Sequence, residues 1–237
     1  MQITVNNDFI QIDNPTFQID SAIREELTYT DKAKQYQLRR LSKTLWGRQS
    51  PLYKQLQQEV EGKLYSENNG SLVIPSSFYK QYESMFINCS VTDNRKETGK
   101  KIVVPWVKKP YALRPYQEEA VDLMLSNYRG VINFATGLGK TLVATHLAQR
   151  YKRRTLVVCP SDSVAKQFYN QFVECFGKNK VGFYGGGKKN ISDITVGIAA
   201  SVSKYVAEFQ AADLGLVIFD ETHHTPASTF FDIAEGL

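Results

Sequence analysis

Ala135-Thr-Gly-Leu-Gly-Lys-Thr141 follows a short apolar run, Val131-Ile-Asn-Phe134, and precedes residues at helical spacing, Leu142, Val143, Leu147 and Tyr151. Few architectures lead a strand through a glycine-rich turn directly into a helix. The flanking sequence narrows them further. Pro115–Tyr128 reads as a helix, Thr155–Cys159 as a buried strand, and the next stretch as a helix ending near Phe176. Ile194–Ile198 and Leu216–Phe219 are two more apolar strand runs. Such strands alternating with helices imply βαβ units, a mostly parallel sheet and helices on both of its faces. The expected fold class is α/β, preceded by a small α+β domain.

That smaller domain is expected over residues 1–104. Ser50-Pro51 reads as an N-cap with proline at the first helical position, and Leu52, Leu56 and Val60 then share one face. Glu67-Asn-Asn-Gly70 separates Lys63–Ser66 from Ser71–Pro75 and predicts a β-hairpin. Ser76-Ser77 predicts the start of a helix through Phe86, with Phe78, Tyr82 and Phe86 four apart. Val103–Pro110 holds two prolines and two lysines, and residues 105–110 within it are the expected linker to a second domain over 111–237.

At 237 residues either domain can bury a core. No apolar run approaches the ~20 residues of a membrane helix, and the first residues lack the basic start and apolar stretch of a secretion signal. Cys89, Cys159 and Cys175 are odd in number and without metal-ligand spacing, which favours a reducing cytoplasm over a disulfide framework. The net charge of +5 is uneven: residues 1–109 carry 16 Lys and Arg against 12 Asp and Glu, a surplus suited to a polyanion.

The glycine turn has the chemistry of a phosphate cradle. Backbone N–H groups converge there and the helix N-terminus adds partial positive charge. Gly137 and Gly139 allow the turn and close approach, with Thr136 and Leu138 completing the loop. Lys140 can reach β- and γ-phosphates, and the Thr141 hydroxyl can ligate Mg²⁺. Phe134 stands where the strict eight-residue pattern has its first glycine. Asp220 and Glu221 follow an apolar strand, so their carboxylates emerge at the carboxyl edge where open α/β sheets bind ligands. Asp220 can hold Mg²⁺ and Glu221 can orient or deprotonate an attacking water.

On these residues the chain resembles superfamily 2 helicases and translocases. Ala135–Thr141 matches their motif I, and Asp220-Glu-Thr-His223 their motif II. Leu113-Arg-Pro-Tyr-Gln117 is similar to their adenine-reading leader, and Val157-Val-Cys-Pro-Ser161 to motif Ia. Gly185-Gly-Gly-Lys-Lys189 and Asp220–Ala227 are similar to the branch holding a transcription-repair helicase of archaea and eukaryotes and a phage recombination helicase.

The resemblance implies an incomplete RecA-like P-loop domain using ATP and Mg²⁺ on DNA, with RNA also open. It implies that Gln117, with Arg114, recognises adenine and that His223 couples nucleotide state to the DNA-contacting surface. Ser161 and residues near 197–201 would touch the phosphate backbone. Lys188 and Lys189 either do likewise or form a solvated turn. Neither His146 nor His224 has the setting of a metal ligand.

Arg39, Arg40, Lys43, Trp46 and Arg48 interleave cations with an aromatic ring. The segment either contacts phosphate and stacks a base or buries Leu41, Leu45 and Trp46.

The sequence ends at Leu237, before a third motif whose strand, in the resembled fold, lies between the phosphate-loop strand and the strand of motif II. The expectation is therefore a fragment: a gapped sheet, no second RecA-like domain, and little nucleic-acid-stimulated ATPase from the chain alone. Two alternatives remain at this point. One is the translocating part of a restriction endonuclease subunit, and the other is a DNA-binding module with a vestigial ATP site. The intact Lys140, Thr141, Asp220 and Glu221 argue against the second.

Overall fold

A computed structural model describes residues 1–127, 129–220 and 227–237. The chain divides into two compact units, Met1–Lys96 and Glu97–Leu237. Residues 105–110, expected to link two domains, lie within the second, as do the residues just before them. Val104 is buried in its core, Trp106 stacks on Phe176 at 5.1 Å, and the Val107 N–H donates to the Cys175 carbonyl.

The first unit holds a five-stranded sheet in the order β5-β6-β2-β1-β7: β1 (Gln2–Val5), β2 (Phe9–Asp13), β5 (Ser66–Asn68), β6 (Ser71–Pro75) and β7 (Ser90–Asp93). Ile3 and Val5, Ile10 and Ile12, and Leu72 and Ile74 alternate along their strands and are all buried. That period of two fixes which face meets the core. Over it lie Ile19 and Ile23 of α1 (Phe17–Glu26), together with Tyr82 and Phe86.

The β5–β6 hairpin turns on Asn69 and Gly70, both at positive φ, the backbone of the two-residue turn that suits strand twist. The helix expected from Ser76 is broken. It runs as a 3-10 turn over Ser76–Phe78, then α5 (Tyr79–Tyr82), then a second 3-10 turn to Phe86. Neither serine caps it, because the Ser76 hydroxyl instead donates to the Asn7 carbonyl at 2.6 Å.

Between β3 (Thr28–Thr30) and β4 (Glu61–Lys63), which pair antiparallel, the chain inserts three helices. These are α2 (Lys32–Leu41), α3 (Leu45–Gln49) and α4 (Pro51–Glu59). Ser50 caps α4 by accepting from the Tyr53 N–H, as its Ser-Pro start predicts. Leu45 and Trp46 are 70% and 84% exposed. Of the two readings of this segment, the one that buries Leu41, Leu45 and Trp46 therefore fails: Leu41 is only half-buried and the five-residue α3 presents no buried face.

The second unit is α/β. β8 (Thr155–Cys159) pairs in parallel with β11 (Ile194–Ile198) on one side and β12 (Leu216–Phe219) on the other. β9 (Val181–Gly185) pairs in parallel outside β11, and the short β10 (Lys188–Lys189) closes that edge as a hairpin. Both faces are covered. Val157 and Cys159 point into a core with Phe168, Phe172 and Phe176 of α8 (Asp162–Phe176), whereas Leu156 and Val158 point into another with Val202, Phe209, Phe230 and Ile233.

Val131–Phe134 does not form the expected strand. A strand exists only by pairing, and among the described residues no ladder includes this run. Ile132 and Phe134 still turn inward, packing with Val143 and Leu147 and with Leu216 and Ile218 of β12, while Val131 is 88% exposed.

Candidate nucleotide site and nucleic-acid edge

Two helices build the site. α6 (Pro115–Asn127) begins at the proline of the leader, and α7 (Lys140–Tyr151) begins at the lysine of the glycine turn. Gly139 caps α7 with φ +83 and Gly137 has φ +84, a region that side chains with a Cβ rarely enter. A Cβ added at Gly137 would meet no described atom within 4 Å, so the exposed turn is uncrowded there. The Leu138 N–H closes the turn onto the Ala135 carbonyl at 3.2 Å. Thr136 and Leu138 are exposed, Lys140 and Thr141 half-buried. The turn thus opens a helix N-terminus to a group of phosphate size, and the residues present fit one.

Gln117 is 4% exposed and ties the leader to this turn. Its side-chain N–H donates to the Leu138 carbonyl at 2.7 Å, and its carbonyl accepts from the Arg114 backbone N–H at 2.9 Å. A Cβ on Gly139 would sit 2.6 Å from the Gln117 amide nitrogen. Tyr116 was not singled out in the sequence, yet it joins the same contact. Its ring meets Phe134 edge-on at 5.3 Å, and its hydroxyl lies 3.4 Å from both the Leu138 carbonyl and Arg114. The signal was present, because Phe134 replaces a glycine in a turn that otherwise needs small residues, and a ring there requires a packing partner.

Asp220 follows β12 and is 9% exposed, and its backbone N–H donates to the Val158 carbonyl at 2.9 Å. α7 packs against β12 through Val143 and Leu147. Burial, with the nearby Asp220 carboxylate adding to it, holds the Cys159 thiol far above the ordinary cysteine range. That cysteine is therefore an inert core residue. Glu221, Thr222, His223 and His224 lie outside the described residues.

Strand register brings the other candidates to the same carboxyl edge as Asp220. Gly197 pairs with both Val158 and Tyr184, so the ends of β8, β9 and β11 are level. Ser161 follows β8 and caps α8, its hydroxyl accepting from the Val164 N–H at 3.4 Å and lying 3.0 Å from the Ser163 hydroxyl. Ala199–Ser201 open a short helix, α9 (Ala199–Val202), directly after β11. Lys188 and Lys189 stand exposed beyond the glycine turn at Gly185–Gly187. Lys189 pairs with Glu208 at 3.3 Å and lies over the Tyr205 ring, which leaves Lys188 as the more available cation.

His146 is buried in α7. Its Nε2 lies 3.3 Å from the Tyr111 carbonyl, so the neutral ring donates there, and its face meets Trp106 at 5.3 Å. His146 thus packs in the core of this unit. Arg39, Arg40 and Trp46 belong to the first unit.

A protein-family model described as the type III restriction enzyme res subunit matches residues 110–237, more than half of the chain. A DNA 3'-5' translocase XPB2 from Sulfurisphaera tokodaii is 34% identical over 135 residues, 55% of this chain and 29% of that protein. A DNA 3'-5' helicase XPB from Kineococcus radiotolerans is 29% identical over 56% of this chain and 25% of its own length. A probable helicase D10 from Escherichia phage T5 is 35% identical over 44% of this chain and 23% of its own length. The matched part spans less than a third of each of these relatives. Among solved structures, the UvsW helicase from bacteriophage T4 matches 100% of this chain and 88% of that chain, with a TM-score of 0.69 at 19% identity. That likeness shows the fold.

Proposed function

The chain belongs to the family of the type III restriction enzyme res subunit, and from that membership we propose that it is the ATP-binding part of a DNA helicase or translocase. Its relatives place it with superfamily 2 helicases of the XPB and phage type. The observation that carries the reading is the open, left-handed glycine turn at the N-terminus of α7, tied through Gln117 to the leader.

In this reading the backbone of Thr136–Gly139 receives the phosphates, and Lys140 neutralises their charge. Arg114 and Gln117 read adenine. Gln117 must then exchange its bond to the Leu138 carbonyl for one to the base, which links nucleotide arrival to the shape of the turn. Thr141 and Asp220 hold Mg²⁺, which supplies charge stabilisation to the transferring phosphoryl group. Glu221 positions water and His223 passes the change to the nucleic-acid edge, where Ser161 and Lys188, with Lys189, meet the phosphate backbone. The protein works in the cytoplasm. No helix among the described residues is long and apolar enough to cross a membrane.

Phosphoryl transfer gains about 10³–10⁵ in rate from an arginine supplied across the cleft where one is used. We assign that role to a second RecA-like domain. The test is ATP turnover, with and without DNA, by this chain and by a polypeptide extended through such a domain. The expected result is little turnover from the chain alone and DNA-stimulated turnover from the longer protein, abolished by Lys140→Ala. Strong DNA stimulation in the chain alone would contradict the need for a second face. The family description also fits the translocating part of a restriction nuclease, and a nuclease domain elsewhere in the longer protein would decide for it.

A further inference from the structure

Between Asp31 and Glu59 the sequence holds seven lysines and arginines and no acidic residue. This one segment exceeds the whole surplus of residues 1–109, and it forms the helical insertion of the first unit. Lys34 pairs with Glu59 at 2.9 Å at the base of the insertion. Tyr36, Arg39, Arg40 and Lys43 recur at three- and four-residue spacing along α2 and its end, and all are exposed, Tyr36 by 70%. Leu38 and Leu41 are half-buried in the same helix.

The corner from α2 into α3 is fixed. Gly47 approaches so closely that a Cβ there would lie 2.1 Å from the Leu41 carbonyl oxygen, and its N–H is capped by Thr44 at 3.0 Å. The Arg48 guanidinium reaches back to donate to the Ser42 carbonyl at 2.7 Å. The corner holds Trp46 out, 84% exposed, within the same basic segment.

We infer that this corner binds single-stranded nucleic acid, with Trp46 and Tyr36 stacking on unpaired bases and Arg39, Arg40 and Lys43 following the phosphates. The choice of ligand rests on the reading of the chain as part of a nucleic-acid motor, but the corner itself belongs to the first unit. Two exposed rings among unopposed cations match a polyanion that also presents aromatic faces. A duplex would use the cations and leave both rings in water, because its bases are stacked on each other. A protein partner would have to bury Lys43, a residue type depleted at interface cores, and to supply a carboxylate for each cation.

The test uses the whole chain, a labelled oligo-dT of about 20 nucleotides, a duplex of equal length and inorganic polyphosphate, with affinities read by anisotropy. Trp46→Ala should weaken single-strand binding about 5- to 150-fold, the worth of one stacked base, and leave polyphosphate binding unchanged. Trp46→Phe should restore most of it. Arg39→Ala should lower the salt slope by about 0.7. With Trp106→Phe removing the second indole, the Trp46 emission should quench on adding oligo-dT and not on adding polyphosphate.

Unchanged single-strand affinity in Trp46→Ala, or an equal loss for duplex, would overturn the inference. If Trp46→Ala is neutral while the wild-type chain still binds ATP, only this site fails. Absence of both ATP and nucleic-acid binding would remove the motor reading as well.

Discussion

Gln117 and His146 show how single side chains join segments far apart in sequence. Gln117 spans from the leader to the phosphate turn, and His146 reaches from α7 to the Tyr111 carbonyl beneath Trp106. Burial is the largest influence on His146 and lowers its pKa below the ordinary 6.5; the bond to Tyr111 opposes this and Arg150 adds to it. The unfolded chain therefore takes up this proton at a higher pH than the folded one. Stability from the neutral ring is complete above about 6.5 and declines as pH falls toward the folded value.

We expect the midpoint of His146, read from its ring proton resonances, to lie below the ordinary histidine value. Denaturant stability should fall between about pH 7 and 5, and His146→Gln, which keeps a donor and does not titrate there, should flatten that fall. A midpoint at or above 6.5 would contradict the burial argument. At this scale the sequence offered candidate residues and missed the contacts. Spacing singled out Lys140, Thr141 and Asp220 as candidates, whereas the edge-on packing of Tyr116 on Phe134 depends on two segments meeting.

Elements were legible where the strand is a nearly unbroken apolar run. β8, β11 and β12 are nearly continuous apolar runs, and the structure has them at the residues the sequence marks. β9 was not read, because Gly182 and Gly185 interrupt Val181–Gly185 and dilute the signal. The error at Val131–Phe134 is the converse: an apolar run specifies burial, but only a neighbouring strand makes it a strand.

α8 carries the clearest energetic prediction. Phe168, Phe172 and Phe176 lie on one of its faces, and Phe172 is fully buried against Phe176 at 5.9 Å between centroids. Phe172→Ala should cost about 3–5 kcal/mol through lost transfer and the cavity left behind. Chemical denaturation monitored by Trp106, which stacks on Phe176, reads this directly. A loss under about 1 kcal/mol would mean that the face collapses around the gap.

The whole molecule comprises two units: a nearly neutral α+β unit whose helical insertion is basic, and an α/β unit with the glycine turn and the strand edge. The fold class, the family resemblance and the alternation of elements were visible in the sequence because parallel α/β sheets impose a strong pattern. The first unit was less legible. Its strands are short, and their pairing joins Gln2–Asp13 to Ser66–Asp93 across a long separation that no local signal reports.

The account stands on the glycine turn being a working nucleotide site, and calorimetric titration of the chain with ATP, in Mg²⁺ and in EDTA, tests this most directly. It predicts saturable binding that tightens with Mg²⁺ and weakens about 10- to 150-fold in Lys140→Ala, the worth of one charge-assisted bond. Equal affinity in wild type and Lys140→Ala, or no binding by either, would contradict it.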